Sequence, residues 1–175
     1  NMGIQFETDY NMETLTAMAK SLRKTVRKKR SRRVHIFAAV VLILGLLTIL
    51  ATTAGGEPLG ASGVVTLLAM LVVILVSLFE DKLNAWFARK RLLPGTEHAA
   101  ATFEEDGYVS ATGVTESRFS YAQIVAVAET ARYFVFALSS HHTQAYDKRN
   151  IRGGSVEDFR AFIAEKTGKL VENIK

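Results

Sequence analysis

Two long stretches without Asp, Glu, Lys or Arg constrain this chain more than any other feature of its sequence. Residues 34–53 read VHIFAAVVLILGLLTILATT, and residues 61–79 read ASGVVTLLAMLVVILVSLF, which makes them 20 and 19 residues long. A helix rises about 1.5 Å per residue, so each stretch covers about 30 Å, the hydrocarbon thickness of a bilayer. The sequence therefore predicts two transmembrane helices.

The connection between the two stretches is short, with the sequence AGGEPLG at residues 54–60. Glycine and proline interrupt helices, so the two spans are predicted to form an antiparallel hairpin. Two buried helices of a soluble core are an alternative interpretation, which such long uncharged runs disfavour. A signal peptide is a second alternative. The first stretch is too long for it, because the apolar part of a signal peptide has about 7–15 residues.

The segment before the first stretch is strongly basic. Residues 20–33, KSLRKTVRKKRSRR, contain nine Lys or Arg and no acidic residue, in a chain whose net charge is only +5. Residues 80–91, after the second stretch, contain four more basic residues, whereas the link contains only Glu57. Positive charge accumulates on the cytoplasmic side of membrane proteins. The sequence therefore predicts a multi-pass protein of the inner (cytoplasmic) membrane with both termini in the cytoplasm.

The basic run also supplies the candidate binding residues. Each basic side chain near an anionic leaflet contributes about 1 kcal/mol. Nucleic acid is not a predicted partner, because the run adjoins a span and lacks aromatic residues for base stacking. The predicted partner is the anionic headgroup surface of the lipid bilayer, with a protein partner or a second copy of the chain as further alternatives. The candidate membrane-surface residues are Arg23, Lys24, Arg27, Lys28, Lys29, Arg30, Arg32 and Arg33.

Helical segments are predicted on both sides of the hairpin. Apolar residues recur at spacings of three and four in residues 11–33, which indicates a basic juxtamembrane helix. Neither Gly nor Pro occurs between Asn11 and Gly45, so this helix is predicted to continue unbroken into the first span. Residues 80–93 form a second such helix, in which Trp86 either anchors the chain at the bilayer interface or packs against the cytoplasmic domain.

Residues 96–175 are predicted to form a small cytoplasmic domain of antiparallel strands followed by one helix. The apolar run RYFVFALSS, residues 132–140, suits a strand that is covered on both faces. Ser155 is placed to cap the N-terminus of the helix, and Gly168 to end it.

The first ten residues carry a strand pattern as well. Ile4, Phe6 and Thr8 alternate with more polar residues, which is typical of a strand with one buried face. We expect residues 1–10 to join the sheet of the cytoplasmic domain, so that the hairpin is an insertion in a split domain. The predicted fold class is an α+β membrane protein, with a two-helix transmembrane hairpin and a small cytoplasmic domain of antiparallel sheet plus C-terminal helix.

Several segments together resemble the YcxB-like family of bacterial membrane proteins. The resemblance combines two spans behind a basic helix with FEEDGYVSAT, FSYAQIVAVAETARYFVFAL, YDKR and FRAFIAEKTG, which begin at residues 103, 119, 146 and 159. It implies a cytoplasmic domain similar to the pleckstrin-homology or GRAM-like half-barrel with a helix at one end. It brings no established activity and no catalytic residues.

Short polar motifs were weighed as sites of chemistry and each has a simpler interpretation. His141 and His142 are adjacent, so on a strand they point to opposite faces and rarely bind one metal ion. Residues 104–106, EED, lack the alternating oxygen ligands of a calcium loop and precede a turn glycine. Gly153-Gly154 precedes a helix whose first turn is acidic and repels anions. No catalytic residue, metal site or cofactor is predicted.

The sequence favours a membrane-anchored, non-enzymatic binding or regulatory protein. Neither span contains a charged residue in its middle, whereas ion paths and proton relays usually do. The first alternative is an oligomeric pore or transporter subunit, lined by Thr48, Thr66 and Ser77. The second is an enzyme acting on a lipid or envelope precursor, with His142 and Asp147 as its candidate residues.

Overall fold

The computed structural model describes residues 3–175, so the first two residues of the predicted 1–10 strand segment lie outside the described part. The chain divides into two compact units. One unit combines the N-terminal residues up to Lys28 with Asn84–Lys175, and is called the α/β unit below. The other is Lys29–Leu83, called the helical unit.

Five α-helices and eight strands make up the described fold. The helices are α1 Met12–Lys24, α2 Lys28–Ala54, α3 Ala61–Leu78, α4 Glu80–Arg91 and α5 Val156–Thr167. The strands are β1 Ile4–Asp9, β2 His98–Phe103, β3 Tyr108–Thr112, β4 Glu116–Phe119, β5 Ala126–Glu129, β6 Tyr133–Ala137, β7 Thr143–Asp147 and β8 Val171–Asn173. The predicted α+β class, with two apolar helices, antiparallel sheets and a C-terminal helix, is confirmed.

The helical unit consists mainly of α2 and α3, which are long and apolar enough to cross a membrane by length and composition. No residue in the most apolar 18-residue window of either helix is buried. Within the single chain, the two helices therefore do not form the buried core that the soluble alternative requires. The two helices approach closely at Gly45, where an added Cβ would lie 2.8 Å from Sδ of Met70.

The predicted unbroken helix from residue 11 into the first span is wrong. Helix α1 ends at Lys24, and α2 begins at Lys28 after a three-residue turn. The β-branched Thr25 gives up helical geometry at this point, and its side-chain hydroxyl donates to the carbonyl oxygen of Ser21 at 2.7 Å. This bond also occurs inside α2, at Thr48, so it accompanies the helix end and does not explain the break.

The α/β unit contains two four-stranded sheets, ordered β1-β2-β3-β4 and β7-β6-β5-β8. The period-2 pattern of the N-terminal residues does form a strand, since β1 pairs antiparallel with β2 and Ile4 lies opposite Phe103. The sequence prediction missed β8, which follows the last helix and pairs parallel with β5. The sheets are therefore not purely antiparallel.

Aromatic rings fill the core between the sheets and α5. Phe159 of α5 has no exposed surface, and its ring centroid lies 4.7 to 4.9 Å from those of Phe6, Phe103 and Phe134. Strand β6 is buried along its whole length, as predicted for a strand covered on both faces. Its second face packs with α1 residues such as Met18.

The residues that cap and end α5 are those predicted from the sequence. The hydroxyl of Ser155 accepts from the backbone N–H of Asp158 at 3.0 Å, and the Asp158 carboxylate accepts from the backbone N–H of Ser155. Gly168 ends the helix with a φ of 64°, in the left-handed region that favours glycine. These local signals fix where α5 lies along the chain, and its aromatic face then packs into the core.

Candidate binding cleft

The side chains on the inner face of the first sheet change from aromatic to small along the strands. The register places Phe103, Tyr108 and Phe119 side by side on β2, β3 and β4. Two residues along, the same positions hold Ala101, Ser110 and Ser117. Because alternate residues of a strand share a face, the aromatic row at one end gives way to small and hydroxyl side chains at the other.

Those small side chains leave a cleft of about 360 Å³ in the α/β unit. Its lining combines hydroxyl groups from β3, β4 and the loop between them with apolar side chains from α1, α4 and the segment just after α4. The residues that contribute most to the chemistry of the cleft are Leu15, Met18, Leu92, Ser110, Thr112, Ser117, His142 and Gln144. The cleft is thus amphipathic, and its volume lies within the about 300–1,000 Å³ range of ligand sites.

Gln144 lies at the base of this cleft and is held there by two buried tyrosines. Its Oε1 accepts from the hydroxyl of Tyr108 at 2.6 Å and from the hydroxyl of Tyr146 at 2.8 Å. Burial raises the pKa of both tyrosines well above the usual range, so both hydroxyls remain protonated and act as donors. Only 6 % of the Gln144 surface is exposed. The paired donors fix the amide oxygen toward the tyrosines and leave the amide nitrogen for other contacts.

The loop at the mouth of the cleft contains the predicted histidine pair. The hydroxyl of Ser139 accepts from the backbone N–H groups of both His141 and His142. The ring of His142 lies against Phe119, and Arg27 contacts His141 Nδ1 at 2.9 Å. Within residues 3–175 no group of three or more His, Cys, Asp or Glu side chains is arranged to hold a metal ion. These contacts give the pair a role in shaping the mouth of the cleft.

The structure divides the predicted membrane-surface residues into two sets. Lys24 and Arg27 form bonds within the α/β unit: Lys24 Nζ donates to the Lys175 carbonyl at 3.1 Å, and Arg27 Nε donates to the Ser140 carbonyl at 2.6 Å. With Arg23, they are only partly exposed. The five basic residues that follow are exposed along the start of α2, and they are Lys28, Lys29, Arg30, Arg32 and Arg33.

Trp86 lies on α4 with two neighbours of its own helix. Its ring packs edge-on against Phe87, with centroids 5.0 Å apart, and Lys90 Nζ lies 3.6 Å from the ring centroid. The tryptophan remains 45 % exposed. Its role as an interface anchor stays a prediction.

The two candidate residues of the enzyme alternative are not brought together. His142 directly precedes β7, and Asp147 ends it. Five residues of strand at about 3.3 Å each separate them by about 16 Å. Asp147 is instead buried beside Arg132, whose Nη2 lies 3.0 Å from Oδ2 of Asp147. Burial raises the pKa of Asp147, and the Arg132 charge partly offsets that effect.

The acidic and glycine motifs serve the fold. Glu104 lies 3.5 Å from Arg118, and Glu105 forms an ion pair with Lys166 of α5. Gly153 has a φ of 81°, and a Cβ there would lie 2.5 Å from the carbonyl oxygen of Gly3. The glycine therefore permits the start of β1 to pass close to the segment before α5, a reason for the double glycine that the sequence analysis did not find.

The sequence analysis also missed the cleft itself. Its signal was the presence of small or hydroxyl residues in succession, at 99–101 on β2 and 110–112 on β3. That pattern becomes a cleft only once the strands are in register and α1 and α4 lie beside them.

Comparison with known proteins supports the resemblance found in the sequence. Residues 103–163 match the family model described as YcxB-like protein. No curated protein and no solved structure matches the chain significantly. The matched segment runs from the end of β2 into α5, and it contains the tyrosines and the glutamine at the base of the cleft.

Proposed function

We propose, from the premise that this chain is YcxB-like over residues 103–163, that it is a membrane-anchored, non-enzymatic binding protein. The observation that carries the proposal is the contrast between its two units. Two helices expose apolar side chains along their 18-residue apolar stretches, and the other unit holds an amphipathic cleft. Exposed apolar surface of this extent requires a covering, which a bilayer supplies.

The proposed topology places both termini in the cytoplasm and the link outside the inner membrane. The basic run before α2 and the four basic residues between 80 and 91 support this orientation, because the link carries no Lys or Arg. A contact between polar residues at the ends of the spans supports the hairpin arrangement rather than its orientation. Nε2 of His35, near the start of α2, lies 3.0 Å from Oε2 of Glu80, just after α3. The two ends therefore lie at the same depth.

The proposed cytoplasmic domain is PH-like. Two four-stranded sheets enclose an aromatic core, and a C-terminal helix closes one end of it through Phe159 and Ile163. This arrangement supports the half-barrel with a terminal helix that the family resemblance implies. Strand β1 precedes the helical unit in the sequence, and its partner β2 follows that unit. The domain is therefore assembled from chain segments on both sides of the hairpin.

Binding accounts for the features of the chain better than transport does. Thr48 and Thr66, proposed above to line a pore, donate their hydroxyls to carbonyl oxygens of their own helices at 2.8 and 2.9 Å. Such hydroxyls are satisfied within the helix and need no water-filled path. The five exposed basic residues at the start of α2 are suited to anionic headgroups, and the cleft is suited to a ligand or partner.

The topology can be tested by cysteine labelling, because the chain contains no cysteine. Glu57→Cys places a single thiol in the link, and Leu170→Cys places one on an exposed position of the α/β unit. In intact cells a membrane-impermeant maleimide should label the first variant only, and permeabilised cells should label both. Labelling of Leu170→Cys in intact cells, or release of the chain from membranes by alkaline carbonate, would contradict the proposal.

A further inference from the structure

The exposed apolar side chains of the α/β unit are concentrated in one region. The structure describes six large apolar side chains of this unit as exposed, and two of them, Val125 and Leu170, lie next to β5 and β8. The other four are 45–68 % exposed and lie on α4, on the turn after it and on the loop between β3 and β4: Trp86, Phe87, Leu93 and Val114. These four side chains are called the α4 patch.

The parts of the α4 patch are joined by direct contacts. The rings of Trp86 and Phe87 pack edge-on with their centroids 5.0 Å apart. The loop that carries Val114 lies against the turn after α4, because the backbone N–H of Gly113 donates to the carbonyl oxygen of Gly95 at 3.0 Å. The patch is therefore formed by two segments that are distant in sequence.

Helix α4 directs its two aromatic rings away from the interior of the unit. Among the residues of α4, all of them described, only Ala85 is buried, and Ala88 lines the cleft. Each residue advances about 100° around a helix, so Trp86 and Phe87 lie about 100° and 160° from Ala85. The two alanines therefore face the unit, and the rings face outward.

The charge around the α4 patch is positive. Residues 82–96 contain four Lys or Arg and no Asp or Glu. Lys90 Nζ lies 3.6 Å from the ring centroid of Trp86, so a cation lies directly on the exposed aromatic surface. The next acidic residue, Glu97, accepts a hydrogen bond from the backbone N–H of Gly95. Exposed rings bordered by cations match the boundary between acyl chains and anionic headgroups.

A bilayer suits this patch better than a protein partner does. Lysine is depleted in protein interfaces, whereas tryptophan is enriched where a membrane meets water and lysine side chains extend there to the headgroups. Helix α4 begins at Glu80, two residues after α3 ends at Leu78. Under the proposed function α3 ends at the cytoplasmic surface of the bilayer, so the headgroup layer is the surface nearest to α4 along the chain.

We infer that the α4 patch docks into the cytoplasmic headgroup layer, with α4 lying along the membrane surface. Its apolar side chains enter the boundary with the acyl chains, which is about 5–10 Å deep for such helices. Lys90 and its neighbours Arg89 and Arg91 meet anionic headgroups. Docking of this kind fixes the orientation of the α/β unit on the membrane.

This inference rests on the proposed function, because it needs α2 and α3 in the bilayer. The two can fail separately. Cysteine labelling tests whether the hairpin spans the membrane, and the experiment below tests whether the α4 patch contacts lipid. A spanning hairpin with a patch that does not contact lipid would leave the proposed function standing and overturn the docking.

Trp86 is the only tryptophan of the chain, so its fluorescence reports on the patch directly. The experiment uses the full chain in nanodiscs of phosphatidylcholine and phosphatidylglycerol. The phosphatidylcholine is either unmodified or brominated on its acyl chains close to the headgroup, and bromine quenches tryptophan only at near contact. We expect the brominated lipid to remove about half of the Trp86 emission, as insertion of the ring at this depth implies.

A second reporter distinguishes the two orientations open to α4. A helix that points away from the membrane also starts near the lipid, but it rises about 1.5 Å per residue and carries Leu93 about 10 Å beyond Trp86. The β3–β4 loop beside that turn would then lie out of reach of the bromines. Docking along the surface instead predicts that Val114→Trp, in a Trp86→Phe background, is quenched about as strongly as Trp86 in the parent.

The matched control places the reporter at an exposed apolar position outside the patch. Leu170 is 89 % exposed and precedes β8, which is separated by β5 and β6 from β7 in the second sheet. Leu170→Trp in the same background should keep its emission in brominated nanodiscs. Equal quenching of Leu170→Trp and Val114→Trp would overturn the assignment of the docking surface to the α4 patch.

A pair of charge reversals tests the contribution of the cations. Lys90→Glu should reduce the quenching of Trp86 about twofold, because it turns attraction to phosphatidylglycerol into repulsion. Lys169→Glu makes the same change at an exposed position outside the patch and should leave the quenching unchanged. Equal effects of the two reversals would contradict the contact with anionic headgroups.

The remaining outcomes identify what else covers or frees the patch. Quenching of Trp86 without quenching of Val114→Trp would overturn the docking and show that α4 points away from the membrane. Emission that bromine leaves intact and that shifts to the blue with rising protein-to-lipid ratio would overturn it in favour of a second copy of the chain. Near-ultraviolet circular dichroism checks that each variant is folded, and Leu93→Trp takes the place of Val114→Trp if that variant is not.

Discussion

The two units of this chain treat apolar side chains in opposite ways. In the α/β unit the ring of Phe159 has no exposed surface and packs against rings from β1, β2 and β6. In the helical unit Phe37 has 70 % of its surface exposed, and α3 contains no buried residue. The same residue type is therefore a core element in one unit and a surface element in the other.

Polar groups differ between the units in the same way. Glu129 of the α/β unit is buried in an ion pair with Arg160, which links β5 to α5. In the helical unit the hydroxyl of Thr48 bonds to its own helix. The local bond is not confined to the helical unit, since Thr25 of the α/β unit makes it too, but it is the bond that a lipid-facing helix requires. The proposed membrane anchoring predicts such satisfied hydroxyls in α2 and α3.

The largest expected difference comes from removing one phenyl ring in each unit. Phe159→Ala should lower the free energy of unfolding of the α/β unit by about 3–5 kcal/mol, because it leaves a cavity among packed rings. Phe37→Ala should leave that free energy within about 0.5 kcal/mol of the parent, as expected for a distant exposed position. Urea unfolding followed by tyrosine circular dichroism measures it, because all five tyrosines lie in the α/β unit. Equal effects of both changes would refute the contrast.

A smaller effect is expected from the ion pair between α5 and β5. Arg160 donates to both oxygens of Glu129, at 2.8 and 2.6 Å. Arg160→Gln should destabilise the α/β unit by about 1.5–3 kcal/mol, the range for hydrogen bonds to charged groups, with Lys148 still beside Glu129. Arg118→Gln breaks an exposed pair with Glu104 and should cost less than about 1 kcal/mol in the same urea experiment.

The same carboxylate gives the stability a pH dependence. The hydrogen bonds from Arg160, with a smaller contribution from Lys148, hold the pKa of Glu129 below its ordinary value of 4.5. Its contribution is therefore complete above pH 4.5 and is lost as the pH falls through the folded-state pKa. The pKa of Asp147 is shifted upward, so this residue also changes the stability with pH. The free energy of unfolding of Glu129→Gln is therefore subtracted from that of the parent at each pH. A difference that does not decrease toward acid pH would contradict this assignment.

In the helical unit the close approach at Gly45 is the most sensitive position. A Cβ added at Gly45 would contact Met70, and a larger side chain must displace the methionine. Gly45→Leu should therefore weaken the packing of α2 on α3 by about 1–3 kcal/mol. Gly60→Leu is the control, because a Cβ at Gly60 has no heavy atom within 4 Å. Loss of helical circular dichroism during titration with dodecyl sulfate reports the change. If the tyrosine signal shifts together with it, the two units do not unfold independently.

The smallest effect is expected at the start of α5. Ser155→Ala removes the hydroxyl that accepts from the Asp158 N–H and should destabilise the α/β unit by about 1 kcal/mol. Ser77→Ala, within α3, should leave that unit unchanged. The urea midpoint of each variant measures the effect. A midpoint of Ser155→Ala equal to that of the parent would contradict the capping role of Ser155.

Local patterns in the sequence predicted much of the fold. The cap residues of α5, the alternation at Ile4–Thr8 and the continuous apolar run of β6 each specify structure through neighbouring residues. The break between α1 and α2 was not predictable from breaker residues, because residues 25–27 contain neither Gly nor Pro. The short β8 lacks a strong pattern of its own and exists through its pairing with β5.

The sequence by itself determined the two apolar helices, the charge asymmetry around them and the strands followed by α5 in the α/β unit, apart from β8, because these depend on composition and on short-range periodicity. Only the tertiary structure decided the cleft. Ser110 and Ser117 face each other through strand register, and Gln144 is oriented by Tyr108 from another sheet, 36 residues away. Contacts between distant segments leave no periodic signal in one sequence, so the most specific chemical feature of this protein emerged only from its folded form.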